Sequence, residues 1–449
     1  MPDSPVPSEA ARPPGSTDAR VNDAPPALNI SSVPGALAIA GVRHSYLWHA
    51  SGNRIALVAE SALWSIRPDG SDPVLMAHLA GDPLLVGPYA DGIVYLEQHP
   101  GVTTAYLARP TIPPRQVARM EHGAGVAAYP VWATIWHDNL LLVVEGHRPQ
   151  LIDLASGEVR ALGEGPIPVR DGDLAFSAQE GVLAYKLANR GDAVRLLRMD
   201  GTVLQPGSEA QLAPIAWSPS GGRWAVRAVE PGRGLPAPVG ANLEEGGTHL
   251  AVGDASGRLE EFRPPEPLVL VAGPWWSPDG TWLAVVSGTL TSEPGDTAPE
   301  APAAPARLWV VDVEDGRWRD LGPLPEGAIA TGFHPATSSL VVHDPAGAAL
   351  WPVDGGEPQP LTPPWAVGEN PAALEDGSLL FLSADARALY LQRPGAAPRL
   401  LVDSPEPMGA LTAAGNHAAL LRYGDGVAAD LLLVPLPGAE PPAPVTPGR

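Results

Sequence analysis

The chain has 449 residues, and its 50 acidic side chains against 28 basic ones leave a formal net charge of −22 at pH 7. This acidic excess repels nucleic-acid phosphates and excludes a nucleic-acid-binding surface as the basis of function. The 45% of apolar residues excludes global disorder, and the lack of cysteine excludes disulfides and thiolate chemistry.

Residues 1–26 are rich in Pro, Ser and Ala, a composition that predicts a mobile tail. The stretch resembles the tether behind a lipoprotein anchor or a cleaved export signal. We therefore expect an extracytoplasmic protein, with a cytoplasmic location as the alternative. No window of about 18 uninterrupted apolar residues occurs, so no transmembrane segment is predicted.

After the tail, a short apolar run recurs nine times, at intervals of 39 to 58 residues. Most copies are followed by a turn pair such as Asp69-Gly70 or Asp200-Gly201, which supplies the positive φ of a tight hairpin. A second apolar run precedes each copy, and a third run ends just upstream of that one. The nine copies are ALWSI at 62, AYLAR at 105, QLIDL at 150, RLLRM at 195, HLAVG at 249, RLWVV at 307, ALWPV at 349, ALYLQ at 388 and DLLLV at 430.

Each repeat predicts four short strands in about 42 residues, without helical periodicity, which is the pattern of one β-propeller blade. The nine repeats predict an all-β fold: a single β-propeller of four-stranded antiparallel blades over residues 27–446, with eight blades as the alternative. The final segment AEPPAPVTP is a poor strand. We therefore expect ALNISSV at 27–33 to supply the outer strand that closes the ring.

Two segments, IAWSPSGGRWAVRAV at 215–229 and WWSPDGTWLAVVSG at 275–288, resemble the WSPDG signature of TolB-like propeller repeats. These repeats are related to WD repeats. FHPATSSLVV and YLWHASGNRIALV match the signature more loosely. The resemblance implies the propeller fold and leaves the function open, because propellers host unrelated activities.

Seven repeats carry an aromatic residue at the same point, just before the first turn. We interpret these residues as packing between blades, although a row of flat rings could also stack on sugars. They are Trp48, Tyr89, Trp136, Phe176, Trp217, Trp276 and Phe333.

No GxSxG, HExxH or dinucleotide-binding motif occurs, and Lys186 is the only lysine. Asp312–Gly316 and SPDGTW at 277–282 are interpreted as hairpin turns rather than as a calcium loop or an Asp box. Asp171 and Asp173 are interpreted as a turn. We therefore assign no catalytic residue, no metal ligand and no cofactor from the sequence.

Repeats five and six are longer than their neighbours, through insertions at 230–247 and 289–306 between the second and third strands. In a propeller such loops emerge on one face, so the two acidic loops should lie side by side. The candidate partner-binding residues are Arg233, Asn242, Glu244 and Glu245 in the first loop. The alternative is a pair of tolerated low-complexity insertions.

We therefore expect a monomeric, non-enzymatic binding or scaffolding propeller that engages a protein or glycan partner through one face. The alternative is a propeller enzyme of the lyase, lactonase or glycosidase type with a site at the central channel. Three or more convergent Asp, Glu or His side chains at a channel mouth would favour the enzyme, and a featureless channel would favour the binding protein.

Overall fold

The fold is described from a computed structural model. The described residues contain strands, turns and bends but no helix. No helix able to span a membrane therefore occurs in this part of the chain. The predicted tail, 1–26, lies outside it. The structure describes residues 28–49, 53–81, 83–99, 101–121, 130–144, 147–163, 167, 174–186, 193–207, 211–229, 248–266, 268–288, 305–345, 347–363, 371–374, 376–394, 396–424, 426 and 428–437.

The first four repeats fold into four antiparallel sheets, each built from four successive strands. Blade 1 contains the second half of β2 (Ala36–Trp48), then β3 (Ile55–Ala59), β4 (Ala62–Ile66) and β5 (Val74–His78). Blade 2 contains β6 (Pro83–Tyr89), β7 (Gly92–His99), β8 (Val102–Arg109) and β9 (Ile112–Glu121). Blade 3 contains β10 (Pro130–Trp136), β11 (Asn139–Val144), β12 (Gln150–Asp153) and β13 (Val159–Ala161). Blade 4 contains β14 (Leu174–Ser177), β15 (Val182–Tyr185), β16 (Arg195–Arg198) and β17 (Val203–Leu204).

The next four repeats form four further sheets of the same kind. Blade 5 contains β18 (Gln211–Trp217), β19 (Arg223–Val229), β20 (Thr248–Asp254) and β21 (Leu259–Phe262). Blade 6 contains β22 (Leu270–Trp276), β23 (Trp282–Ser287), β24 (Arg307–Asp312) and β25 (Trp318–Pro323). Blade 7 contains β26 (Ile329–Phe333), β27 (Ser339–Asp344), β28 (Gly347–Pro352) and β29 (Gln359–Pro360). Blade 8 contains β30 (Ala372–Ala373), β31 (Leu379–Leu382), β32 (Ala388–Gln392) and β33 (Arg399–Asp403).

The ninth blade joins the two ends of the described chain. Its strands β34 (Met408–Ala414), β35 (His417–Arg422) and β36 (Ala429–Pro435) continue into β2, so blades 9 and 1 share one eight-stranded sheet. The first half of β2 pairs with β36, with Leu37 opposite Leu433 and Ile39 opposite Leu431. Its second half pairs with β3, with Trp48 opposite Ile55. The nine predicted blades are therefore confirmed.

The prediction that a strand near the start of the chain closes the ring was right, but the predicted strand, 27–33, was wrong. β1 (Ile30–Val33) pairs with β2 and not with β36, so it adds a fifth strand outside blade 9. The reason lies in the burial pattern. Leu37 and Ile39 are buried between blades, whereas the two serines of β1 are exposed, as suits an edge strand.

Neighbouring blades pack face to face. The second strands are therefore largely buried, and β3, β15 and β31 are buried along their whole length. One buried cluster, for example, joins Leu250 and Phe262 of blade 5 to Leu283 and Trp309 of blade 6. A sheet covered on both faces needs continuous apolar runs rather than alternating ones, and this explains runs such as IALVA.

Hydrogen bonds across the blade seams add to this packing. Arginine side chains of blades 2, 3, 4 and 6 donate to backbone carbonyls in or beside the hairpin between the third and fourth strands of the next blade. A planar guanidinium with five donors suits this role. The pairs are Arg115 with Leu154 and Ala155, Arg160 with Met199, Arg198 with Ala255, and Arg319 with Val353.

Candidate functional site

The first strand of each blade is the innermost one, and neighbouring first strands contact each other at six of the nine seams. The innermost strands of a propeller line its central channel. In the part of β2 that pairs with β3, from Val42 to Trp48, Arg43 and His44 are the only residues of the Asp, Glu, His, Lys and Arg types. No such residue occurs along the other first strands, which are β6, β10, β14, β18, β22, β26, β30 and β34. Apolar side chains such as Leu84 (37% exposed) and Ile329 (55% exposed) stand on these strands instead.

The aromatic row of the innermost strands is packed between blades, as interpreted from the sequence. Four of its members donate hydrogen bonds to the neighbouring blade, and Trp48, Phe176 and Phe333 pack against buried apolar clusters. An aromatic ring with a bonded N–H or O–H is suited to a seam. The hydrogen bonds are Tyr89 Oη to Asp138 Oδ1 (3.2 Å), Trp136 Nε1 to Ala178 O (3.1 Å), Trp217 Nε1 to Ala175 O (3.0 Å) and Trp276 Nε1 to Ala216 O (3.0 Å).

The two insertions leave the fold where the sequence predicted, between the second and third strands of blades 5 and 6. Val229 pairs with Thr248 at the base of the first insertion, and Ser287 pairs with Arg307 at the base of the second. The candidate residues Arg233, Asn242, Glu244 and Glu245 lie outside the described residues, so the structure gives no position for them. We call the side of the ring that carries these second-to-third-strand connections the insertion face.

The bases of both insertions are fastened to one short segment that leads into blade 6. Thr248 N donates to Leu268 O at 2.8 Å, and Gly288 N donates to Val269 O at 3.0 Å. The Thr248 hydroxyl oxygen also accepts a hydrogen bond from Leu270 N at 2.6 Å. Thr248, which follows the first insertion, and Gly288, which precedes the second, are thus both hydrogen-bonded to one segment on the insertion face.

A partly buried arginine that the sequence did not single out lies on β19, shortly before the first insertion. Arg227 Nη1 donates to Leu270 O at 3.0 Å, and burial lowers the pKa of this guanidinium. An arginine remains charged in proteins even so. The sequence could have revealed this residue, because Arg227 is a charged residue within the mainly apolar run RWAVRAV. It lies two residues before Val229, at the base of the first insertion.

In blade 1 a serine and a histidine lie close enough to resemble a catalytic pair, but they belong to a buried structural network. Ser65 Oγ lies 3.2 Å from His49 Nε2 and accepts a hydrogen bond from Arg54 Nε at 2.8 Å. Arg54 also pairs with Asp72 at 2.7 Å. Because Ser65 is fully buried, this pair has no open face for a substrate.

This network, together with a second buried histidine elsewhere in the ring, should make stability depend on pH. Burial lowers the pKa of His49, and Arg54 lowers it further. Burial also lowers the pKa of His334, whose Nδ1 accepts a hydrogen bond from Ala336 N. In the unfolded chain a histidine titrates near about pH 6.5. The unfolded state therefore binds more protons as the pH falls through this value, and the folded state loses stability.

We expect the free energy of unfolding to fall between pH 7 and 5, and to fall less steeply in the double variant His49→Gln/His334→Asn. Both substitutions keep an acceptor at the hydrogen-bonded position and cannot be protonated in this range. Urea denaturation at several pH values measures the slope, with the exposed His78→Gln as the control. Equal slopes in the wild type and the double variant would contradict the assignment.

The acidic segments at 277–282 and 312–316 are confirmed as turns, whereas Asp171 and Asp173 lie outside the described residues. Asp312 Oδ1 accepts a hydrogen bond from Glu314 N at 2.9 Å, and Asp279 Oδ1 accepts one from Ser277 Oγ at 2.6 Å. These carboxylates thus accept hydrogen bonds within their own hairpins. Among the described residues, no group of three or more His, Cys, Asp and Glu side chains could hold a metal ion.

Comparison with known proteins adds solved structures only, since neither a protein-family model nor the sequence of a curated protein matches the chain. An oligogalacturonate lyase in complex with manganese is similar over 88% of this chain and 97% of that chain, at 12% identity and a TM-score of 0.40. Dipeptidyl peptidase 4 of Porphyromonas gingivalis is similar over 86% of this chain and 56% of that one, at 10% identity and a TM-score of 0.46. The Dos1 propeller is similar over 88% and 93%, at 11% identity and a TM-score of 0.43.

The chain is a β-propeller, and this class is defined by its own strand topology. Nine four-stranded units follow each other around one ring, and β2 closes it. Structural neighbours at this level of identity show the fold alone. Their activities are therefore not transferred to this chain.

Proposed function

We propose that the protein is a non-enzymatic binding or scaffolding propeller that engages a protein or glycan partner through its insertion face. The observation that carries this proposal is the common anchor of the two insertions on Leu268–Leu270. Two loops whose bases are hydrogen-bonded to one rigid segment can present a single combined surface. Independent decorative loops would not need such an anchor.

The composition of the innermost strands supports binding over catalysis at the channel. General acid–base and nucleophilic chemistry needs titratable side chains at the reacting centre. Apart from Arg43 and His44 of β2, the described parts of these strands offer mainly apolar side chains and a few hydroxyl groups. The enzyme alternative would have to recruit its acids and bases from the loops.

Within the first insertion, we propose Arg233 as the main contact, because a guanidinium pairs bidentately with a carboxylate or phosphate on a partner. Asn242 would add hydrogen bonds, and Glu244 and Glu245 would accept from a basic partner. From the WSPDG segments we also propose that the chain resembles TolB-like and WD-repeat-like propellers. An extracytoplasmic location and a monomeric state complete the proposal.

Removing both insertions is expected to abolish partner binding and leave the fold intact. Residues 230–247 are replaced by Asn-Gly, which joins the paired Val229 and Thr248 through a tight turn. Residues 289–306 are replaced by one Asn, so that Gly288-Asn forms the turn between Ser287 and Arg307. Wild-type and deleted baits are compared by pull-down with mass spectrometry and on a glycan array.

Three controls make this experiment decisive. The deleted protein must still unfold cooperatively, so that lost binding is not lost folding. Arg233→Ala should weaken binding of the captured partner by about tenfold or more, as for a buried arginine contact. Glu244→Gln/Glu245→Gln should reduce the salt dependence of binding, since exposed charges are screened. Identical partner and glycan lists from the two baits would refute the proposal.

A further inference from the structure

The ring closes at the seam between blades 9 and 1, which we call the closing seam. Its buried cluster joins Ile55 of blade 1 to Leu431 of blade 9. At four other seams in the described part of the chain, an arginine donates to the hairpin of the next blade. The one arginine in the described part of blade 9, Arg422, is paired with Asp430 and Glu406 instead. Among the described residues, the closing seam therefore has no arginine tie.

His417, the first residue of β35, lies on this seam. Ala419 and Leu421, two and four residues later, belong to the buried cluster that faces blade 1. Because side chains alternate along a strand, His417 is on the same face. Its Nε2 atom is buried without a hydrogen-bond partner among the described residues, as are Trp48 Nε1 and Trp64 Nε1 in the same seam. The closing seam is thus incompletely hydrogen-bonded, which is costly for buried polar atoms.

The hairpin between the third and fourth strands of blade 1 packs against this end of blade 9. A Cβ atom added at Gly70 would stand 2.7 Å from Leu37 Cδ1, so the hairpin lies close to the first half of β2. Asp69 is near enough to His417 for their charges to interact. Asp69 Oδ1 already accepts hydrogen bonds from Ser71 N at 2.9 Å and from Ser71 Oγ at 2.6 Å. A proton on His417 would therefore be buried beside a carboxylate that is engaged elsewhere.

Few other charged groups face His417. Strands β3, β4 and β34 carry no titratable residue. Arg67 in the hairpin is exposed and adds a further positive charge. The remaining charged or titratable residues of the strands around β35 lie farther along their strands, towards the insertion face. They are Arg43, His44 and Tyr46 of β2 and Asp430 of β36.

These surroundings favour the neutral form of His417. Burial lowers the pKa of its imidazole, and Asp69 raises this pKa only in part. In an opened or unfolded chain the same histidine titrates near about pH 6.5. The opened state therefore takes up the proton first as the pH falls, so that closure is fully stable above about pH 6.5 and weakens below it.

We propose that the closing seam is a pH-sensitive contact, at which protonation of His417 separates blade 9 from blade 1 while the other blades stay packed. Histidine is the side chain whose charge changes in this pH range. Regions with fewer satisfied contacts open before the rest of a protein does. The closing seam should therefore open before the seams that an arginine ties. This inference rests on the fold alone and not on the proposed function.

Single buried cysteines can report this opening, because the chain contains no cysteine of its own. Ala419→Cys places a thiol in the closing seam, and Ala284→Cys places one in the arginine-tied seam between blades 6 and 7. Both alanines are fully buried. Labelling with dithiodipyridine is measured at about pH 7.5 and about pH 5.5, and each rate is divided by that of the same protein unfolded in urea, which removes the titration of the thiol.

On acidification, this ratio should rise severalfold for Ala419→Cys and much less for Ala284→Cys. One histidine limits the rise to about tenfold at one pH unit below about pH 6.5. His417→Gln, which cannot be protonated in this range, should remove the rise. His343→Gln is the matched control, because burial also lowers the pKa of this histidine in blade 7, and it should leave the rise unchanged.

Three results would overturn the proposal. The first is a ratio for Ala419→Cys that does not change with pH, and the second is a rise that persists in His417→Gln. The third is an equal rise for Ala284→Cys, which would show global unfolding, as His49 and His334 can cause, rather than opening of one seam. If His417→Gln does not fold, Asp69→Asn is the test. Loss of the carboxylate lowers the pKa of His417 further, so the rise should move to lower pH, and an unmoved rise would contradict the proposal.

Discussion

Deleting residues 1–41 is expected to open the ring and to lower the free energy of unfolding by more than about 5 kcal/mol. The truncation removes Leu37 and Ile39, which are buried in the seam between blades 9 and 1. Truncating a buried Leu or Ile to Ala alone costs about 2–5 kcal/mol. The deletion also removes backbone pairs with β36 and exposes that strand as a new edge. Urea denaturation followed by circular dichroism measures the loss.

Two shorter truncations show how much of this loss of stability each N-terminal segment contributes. Deleting residues 1–26 leaves every described residue in place and should leave stability nearly unchanged. Deleting residues 1–33 removes β1, whose Ile30 lies beside Gly70 of the blade 1 hairpin, and should cost about 1–3 kcal/mol. The largest step must therefore come between the second and third truncations. Equal stability of the 1–33 and 1–41 deletions would show that β2 does not close the ring.

The blade count was predictable from the sequence because its signals are local. Most turns have a glycine or an Asx residue within a few positions of an apolar run, although Glu60 and Ser61 adopt positive φ without either, and most second strands are largely apolar runs. Pairs such as Val58 with Leu63 follow directly from a short hairpin. Repetition of this local pattern defines both the blade and the number of blades.

The closing strand was harder to predict because it depends on a distant partner. ISSV and ALAIAGV both read as short strands, and only the three-dimensional ring shows that the second of them meets β36. β2 also serves two blades, with a register shift between Ile39 and Val42. A pattern of separate strands cannot show that one strand continues from one blade into the next.

The candidate site was predicted only in part from the sequence. The positions of the insertions were predicted, because extra length between two recognisable strands is visible in a repeat. Their common anchor on Leu268–Leu270 was not, since backbone hydrogen bonds from Thr248 and Gly288 leave no trace in residue type.

The second large effect is expected from Gly253→Ala in the core of blade 5. Gly253 pairs with Trp224, and the fully buried indole lies across it. A Cβ atom added at Gly253 would stand 2.4 Å from Trp224 Cζ2 and 2.5 Å from Cε2. A buried ring in a close-packed seam has little room to move, so overpacking should cost about 3 kcal/mol or more.

Gly222→Ala is the matched control, because Gly222 precedes Trp224 by two residues and a Cβ there would meet nothing closer than Ser220 Oγ at 4.0 Å. It should change stability by no more than about 0.5 kcal/mol, as a surface substitution does. If the ring causes the clash, Trp224→Leu should make Gly253→Ala much less costly, so the two substitutions should be strongly non-additive in a double-mutant cycle. Additive effects, or a Gly253→Ala protein as stable as Gly222→Ala, would contradict this prediction. Either result would show that the seam has free space beside Trp224 and that the ring can be buried there without a glycine at position 253.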